Sequence, residues 1–479
     1  MPYPNNTYLF YDIETSGLSK CFDQVVQFAS IRTDLEFREL EHHNIFVKLN
    51  TDAVPSPQAF LTHQISLKKL QEEGIPEFEA IKQIHQLLNK PGTLSLGYNT
   101  LGFDDEFLRF SFYRNLLPPY THQYANGCGR IDLYPITVLY YLFKNEILNW
   151  PEVDGKSTLK LEHLSSANNL HSGTSHDAMS DVEATLAMAR IFSRERAMWD
   201  YAKDFFQKRI DETRIDALEP AWPETKHPIA CMFDGIFGAN NLYHSPVLGL
   251  GRHNHYKNQY LWLRLDDEKL LNLRSENIVE NFSLIYRKKL GEGGLVLPFS
   301  ERHTRHLSVD RKKRMEENIL WLSKNAALLA ELSNYYREYK YPLVPNIDVD
   351  ADLYQQTLRN VFTSQQNMLE YKFQTADFSG KLRFVKDCNI PGLREAALRL
   401  LGRNYLSDLP GTLATEFNGY LKRALTLDEN LALIDYKGGR RLTIPAMKRE
   451  MLEIEKKDNL TTSQREILAD LCHFHQKIS

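Results

Sequence analysis

From position 9 to 18 the chain runs through apolar residues into Asp12 and Glu14 and then to Gly17. That pattern predicts a strand ending in a glycine turn. Strand-like segments recur at 24–32, 41–49 and 94–98. Between and after them come helical patterns: Phe78, Ile81, Ile84, Leu87 and Leu88 share one face, and helices are predicted at 104–115, at 131–147 with Asp132 as N-cap, and at 177–199. In the last of these, Val182, Leu186, Ala189 and Phe192 form one apolar stripe. Strands alternating with helices indicate an α/β layer domain. Near residue 200 the pattern changes. Pro220, Pro223 and Pro228 interrupt the chain, and strands predicted at 229–237 and 259–265 indicate a β-rich module. From 308 to 338 the spacing is helical, and beyond Asp350 helix formers dominate, as in 394–401 and 459–475.

A chain of 479 residues exceeds what one core organises, so two to four domains are expected. With 42% apolar, 25% charged and 11% aromatic residues it has a globular composition, and no run is long enough to span a bilayer. The segment from Met1 to Asn5 lacks the basic and apolar regions of a signal peptide, which predicts a cytoplasmic protein. Five cysteines without CxxC spacing fit reduced thiols and exclude a cysteine zinc site. A net charge of −4 means that a nucleic-acid partner would need a local basic surface.

Candidate chemistry sits in three places. Asp12 and Glu14 are two apart in a strand, so they project from one face, where burial and mutual repulsion are costly unless a divalent cation relieves them. Asp104 stands where the 94–98 strand passes into a helix, in Asn99-Thr100-Leu101-Gly102-Phe103-Asp104-Asp105-Glu106. His176 and Asp181 open the helix that ends the domain, five residues or about 1.4 turns apart. Singly, each has a plainer explanation: a solvated pair, an acid favoured by a helix N-terminus, a local cap.

Together, in this order, they resemble the DEDD superfamily of 3′→5′ exonucleases, with Asp12 and Glu14, Asp104 and Asp181 as its acids and His176 marking the histidine-bearing branch. Further segments, Gln27-Phe28-Ala29-Ser30-Ile31-Arg32, Gly97-Tyr98-Asn99, Phe112-Tyr113-Arg114-Asn115, Asn149-Trp150-Pro151-Glu152 and Leu161-Glu162-His163-Leu164, resemble the bacterial exonuclease I family. Weaker similarity continues at Phe237-Gly238-Ala239, Asp350-Ala351-Asp352-Leu353-Tyr354 and Leu409-Pro410-Gly411-Thr412-Leu413. The resemblance implies a ribonuclease H-like mixed-sheet nuclease domain (1–198), a small SH3-like β module with a helical extension (199–347) and an all-α C-terminal domain (348–479).

It also implies Mg²⁺-dependent, processive 3′→5′ hydrolysis of single-stranded DNA to 5′-mononucleotides, in repair and recombination. Asp12, Glu14, Asp104 and Asp181 would hold two Mg²⁺ ions, with Mn²⁺ as the alternative, and His176 would be the general base. Glu14, Arg109, Tyr120, Tyr124 and Lys160 are implied substrate contacts. Tyr124 stands where the family carries tryptophan, and Lys160 where it tends to carry arginine; the lysine keeps the charge and loses the bidentate fork. The acidic tail of single-stranded DNA-binding protein is the implied partner, with Arg311 of the basic stretch Arg311-Lys312-Lys313-Arg314 as its contact. A monomer without membrane attachment is expected. Two other readings compete. An exoribonuclease of the same branch, such as ribonuclease T or oligoribonuclease, is a much shorter chain, and a catalytically silent binding protein should have lost an acid or the histidine.

Overall fold

The computed structural model describes residues 6–170, 177–456 and 460–476, with backbone alone at 281–282 and 473–476. Its first sheet is built from β1 (Thr7–Thr15), β2 (Val25–Thr33), β3 (Glu39–Phe46), β4 (Thr93–Gly97) and β5 (Gly129–Asp132), in the order β3-β2-β1-β4-β5. β1 runs antiparallel to β2 and parallel to β4. This is the mixed sheet that the resemblance implies. β2 is buried at every position because helices cover both faces. The two-residue period of β1 sorts its side chains. Tyr8 and Phe10 join one core with Val182, Leu186 and Phe192 of the Ala178–Phe192 helix. Leu9, Tyr11 and Ile13 join another with Phe107, Leu108 and Phe112 of the Asp104–Arg114 helix. Asp12 and Glu14 therefore continue the face that meets the Ala178–Phe192 helix.

Two predicted helices are shorter than expected. Ile131 and Asp132 belong to β5, and Asp132 caps the Leu133–Phe143 helix by accepting the Tyr134 N–H at 3.0 Å. The helix predicted over 177–199 stops at Phe192, and a separate helix spans Arg196–Lys203. At the break, the Ser193 hydroxyl bonds the Arg190 carbonyl, offering the backbone a local alternative.

A small hairpin, β6 (Glu152–Val153) and β7 (Lys156–Ser157), precedes a second, antiparallel sheet. The latter comprises β8 (Ile229–Phe233), β9 (His244–Arg252), β10 (Gln259–Arg264), β11 (Ile285–Lys289) and β12 (Leu295–Pro298), ordered β11-β10-β9-β8-β12. It stands where a β module was expected. The Val309–Lys324 and Ala326–Glu338 helices extend it, with Leu322, Leu329, Leu332 and Tyr336 packed on Leu248, Leu261 and Leu263.

The C-terminal region is helical, as expected, but it is not a separate body. Ile444, Met447, Met451 and Leu468 share a core with Val26, Phe46, Phe60 and Leu61 of the nuclease region. Ala351 and Leu353 likewise pack with Cys21, Phe110 and Tyr113. Among the described residues no helix is long and apolar enough to cross a membrane.

Candidate active site

The strand β1 carries Asp12 opposite Ala29 and Glu14 opposite Gln27 of β2. Gln27 donates to Asn44 at 2.9 Å and to Asp177 at 3.3 Å, tying β2 to the start of the Ala178–Phe192 helix. Asp181 lies in the first turn of that helix, one residue beyond Ser180, whose hydroxyl reaches Asp177 at 3.5 Å. The acid of the second motif comes from across β1. Asn99, at φ 61°, turns the chain out of β4, and its N–H bonds Asp132 at 2.8 Å. The helix then opens on Asp104, which is buried and accepts the Ile13 N–H at 3.3 Å. Four acids predicted from three motifs are thus brought around the end of one strand. His176 lies outside the described residues.

Burial and mutual repulsion dominate the electrostatics of Asp12, Glu14 and Asp104. Burial, reinforced by Asp104, Glu14, Asp181 and Asp177, holds Asp12 well above the ordinary carboxylate range. Glu14 is pushed up to about 8 by burial and by Asp181, Asp104 and Asp177. Asp104 is also pushed up to about 8 by burial, opposed by its own and the Ile13 N–H groups and reinforced by Asp132 and Asp105. An all-oxygen, mutually repelling donor set suits hard divalent cations. The fit rests on that donor chemistry, since among the described residues no three His, Cys, Asp or Glu form a ready-made cage.

Beside Asp104 a cleft of about 1010 Å³ opens between the two sheets. Its walls include Asn99, Gly102 and Glu106 from the Asp104 segment, Lys156 and Lys160 near the hairpin, and Arg287 and Lys289 from β11. None of Asp12, Glu14, Asp104 and Asp181 is part of those walls, so the cleft adjoins the acids and does not contain them.

A family model described as Exonuclease matches residues 9–189. Exodeoxyribonuclease I of Escherichia coli K12 is 32% identical over 372 residues, covering 73% of this chain and 76% of that protein. The chain belongs to the exodeoxyribonuclease I family. It is a nuclease, of a family that depends on divalent metal. The likeness extends to solved structures. Exonuclease I from Methylocaldum szegediense matches with a TM-score of 0.83 at 25% identity, covering 99% of each chain. Escherichia coli exonuclease I in complex with a dA16 oligonucleotide matches at 0.85 and 23% identity, over 99% of this chain and 100% of that one.

The expected exodeoxyribonuclease contacts fall into three groups. Lys160 and Tyr124 are open, with 73% of the Lys160 side chain and 69% of Tyr124 exposed. Lys160 lies on the cleft wall, 3.7 Å from Glu162. Tyr120 is half-buried and stacks on Phe362 from the C-terminal region, with ring centroids 5.6 Å apart and planes 17° from parallel. Arg109 is different: it is buried, pairs with Asp105 and with Glu106 at 2.8 Å, and faces the Tyr120 ring at 5.6 Å. Its charge is spent inside the protein, where it supports Tyr120. The i−4 and i−3 acids on the same helix were the signal for this pairing.

Arg311, expected as the contact for the acidic tail, has a side chain that is 11% exposed. It bonds Asp266 at 2.6 Å, the Asn241 carbonyl at 3.0 Å and the His244 carbonyl at 2.6 Å. Those partners lie 45 to 70 residues away in the chain, so the basic run gave no sign of them. Lys20, Arg287 and Lys289 were missed on the cleft wall for the same reason: they converge only in the fold.

Proposed function

We propose that this chain hydrolyses single-stranded DNA from its 3′ end, releasing 5′-mononucleotides with two Mg²⁺ ions. The observation that carries the reading is the convergence of Asp12, Glu14, Asp104 and Asp181, the last three all acting electrostatically on Asp12. In this reading Asp12, Glu14, Asp104 and Asp181 hold the cations. When bound, these supply water activation at neutral pH and charge compensation at the departing 3′-oxygen. His176 takes the proton from the attacking water, an imidazole being the side chain that titrates near neutrality. Lys160 and the cleft cations Lys20, Arg287 and Lys289 follow the phosphates, while Tyr124 and the Tyr120–Phe362 stack offer faces to bases. The division at 1–198, 199–347 and 348–479 assigns catalysis to the first part and strand enclosure to the other two. The acidic tail of a single-stranded DNA-binding protein is the protein partner, met by Arg311 together with the exposed Arg302, Arg305 and Lys313 of the same basic stretch. The enzyme works as a cytoplasmic monomer.

The test is digestion of 3′-labelled single-stranded DNA, duplex DNA and single-stranded RNA with and without chelator. Mononucleotide release from single-stranded DNA alone, lost on chelation, is the expected result. Preference for RNA would move the chain to the ribonuclease branch, and binding without cleavage would make it a silent scaffold. Two surface substitutions refine the track. Tyr124→Ala should weaken oligonucleotide binding by about tenfold, the low end of one lost base stack, when anisotropy is read in chelator. Lys160→Ala should lower the slope of log affinity against log salt by about one phosphate contact. Unchanged affinity in the first or an unchanged slope in the second would remove that residue from the track.

A further inference from the structure

The turn from β11 to β12 is built to hold one acid. Lys288, fully buried, pairs with buried Asp211 at 2.9 Å. Its ammonium also donates to the Glu292 and Gly293 carbonyls at 3.1 and 3.3 Å. Asp211 in turn accepts the Gly291 N–H at 2.8 Å. Gly291 has φ 75°, and a Cβ there would stand 3.1 Å from the Lys208 backbone, so glycine is needed for both reasons.

This frame aims Glu292 into the nuclease region. Its carboxylate lies 3.1 Å from Arg130 of β5 and 3.7 Å from both Arg109 and Lys289. Arg130 bonds Asp105 at 2.6 Å, and the other Asp105 oxygen lies 2.9 Å from His122. Three carboxylates, Asp105, Glu106 and Glu292, thus meet three cations, Arg109, Arg130 and Lys289. All but Lys289 have side chains 13% exposed or less, so these pairs are little screened. Tyr354 of the C-terminal region bonds Glu106 from the far side.

Asp105 directly follows Asp104, and its N–H bonds the Thr100 carbonyl at 3.0 Å in the turn that starts the helix. We propose that Glu292 is a positioning residue: through Arg130 and Asp105 it couples the second sheet to the first turn of the Asp104–Arg114 helix and sets the aim of the Asp104 carboxylate. A carboxylate presented from one part of the chain thereby tunes a ligand presented by another. The inference rests on the reading of Asp104 as a cation-holding group.

The experiment is titration of the full chain with Mn²⁺ in the absence of DNA, by calorimetry, beside the Mn²⁺ concentration giving half-maximal nucleotide release. Glu292→Gln should raise the Mn²⁺ Kd by about tenfold or more, the scale for loss of a group that orients a metal ligand. The half-maximal concentration should rise in parallel. Glu292→Asp, which keeps the charge, should recover most of the affinity, a rescue that a merely structural role does not require. If Glu292→Gln does not fold, Arg130→Lys tests the same link, because it keeps the charge and loses the fork that spans Asp105 and Glu292. A wild-type Kd in a folded Glu292→Gln or Arg130→Lys protein would overturn the proposal alone. A wild-type chain that binds no Mn²⁺ would overturn it together with the reading of the site.

Discussion

Asp12→Asn should reduce nucleotide release by about ten-thousandfold or more, the scale for losing one member of a catalytic unit, without destabilising the protein. The two halves of this expectation have one cause. Asp12 sits at the end of a buried strand with Asp104, Glu14 and Asp181 near enough to raise its pKa well above the ordinary range. Its charge is unfavourable to the fold, and in the proposed reading a bound cation compensates it. An amide of the same shape has no charge to desolvate and offers a cation only a neutral carbonyl oxygen in place of the carboxylate.

The pH dependence follows the same logic. Glu14 and Asp104 have ordinary values of 4.5 and 3.8, and both are raised to about 8 in the fold. Between those limits the folded chain binds more protons than the unfolded one, so stability falls as pH rises. In chelator, the wild-type melting temperature should therefore decline from about pH 4 to about pH 8 and level off beyond the upper value. Asp12→Asn should melt with wild type near pH 5 and above it at pH 8, because only at the higher pH is the wild-type Asp12 under pressure to ionise. Adding Mg²⁺ should raise wild-type stability and leave the variant nearly unmoved. Activity within tenfold of wild type, or an equal Mg²⁺ response in both proteins, would remove Asp12 from the cation site.

Where the physics is local, the sequence was readable. The two-residue period of β1 puts Asp12 and Glu14 on one face, and that face meets the Ala178–Phe192 helix. The Asp132 cap was likewise legible, although the helix was predicted to start before it. Where partners are distant, it was not. β9 is a central strand carrying Pro246, Gly249 and Gly251, a composition that argues against a central strand, and it was missed. The proline survives because its carbonyl still accepts the Leu265 N–H, and β9 shifts register against β10 between Leu261 and Trp262. Arg109 and Arg311 both looked like surface cations. Each is held by carboxylates, which for Arg109 stood one helical turn away and for Arg311 lay across the fold.

The largest stability effect is expected at Arg403, far from the acids of the active site. Asp52, in the loop before the Pro57–His63 helix, is bonded by Arg403 at 3.0 Å and by the Tyr420 hydroxyl at 2.6 Å. Arg403 also reaches Asp350 at 2.5 Å, and Arg399 bonds Asp348 and Asp350 at 2.6 and 3.0 Å. Every one of these side chains is 5% exposed or less, and Tyr420 is likewise buried. Burial alone would raise the pKa of Asp52, but Arg403, Arg441 and Tyr420 outweigh it and hold it at about 2. Such a lattice gains little over apolar packing, yet removing one partner strands the rest. Arg403→Ala should therefore cost about 3–5 kcal/mol in urea unfolding, because it leaves two buried carboxylates short of a cation.

Asp52 contributes stability that is complete above its ordinary value of 3.8 and is lost as pH falls through about 2. The gap between Arg403→Ala and wild type should accordingly narrow below pH 4. Asp52→Asn added to Arg403→Ala should recover part of the loss by removing one of the stranded charges. The C-terminal region that this lattice secures also brings Phe362 onto Tyr120 and Tyr354 onto Glu106. Strand retention should thus suffer before chemistry. Arg403→Ala, assayed at a temperature where it is folded, should release fewer nucleotides per encounter from a long oligomer while keeping most of its rate on a very short one. Loss of both rates in equal measure would mean that the lattice supports the acids themselves and not the grip on the strand.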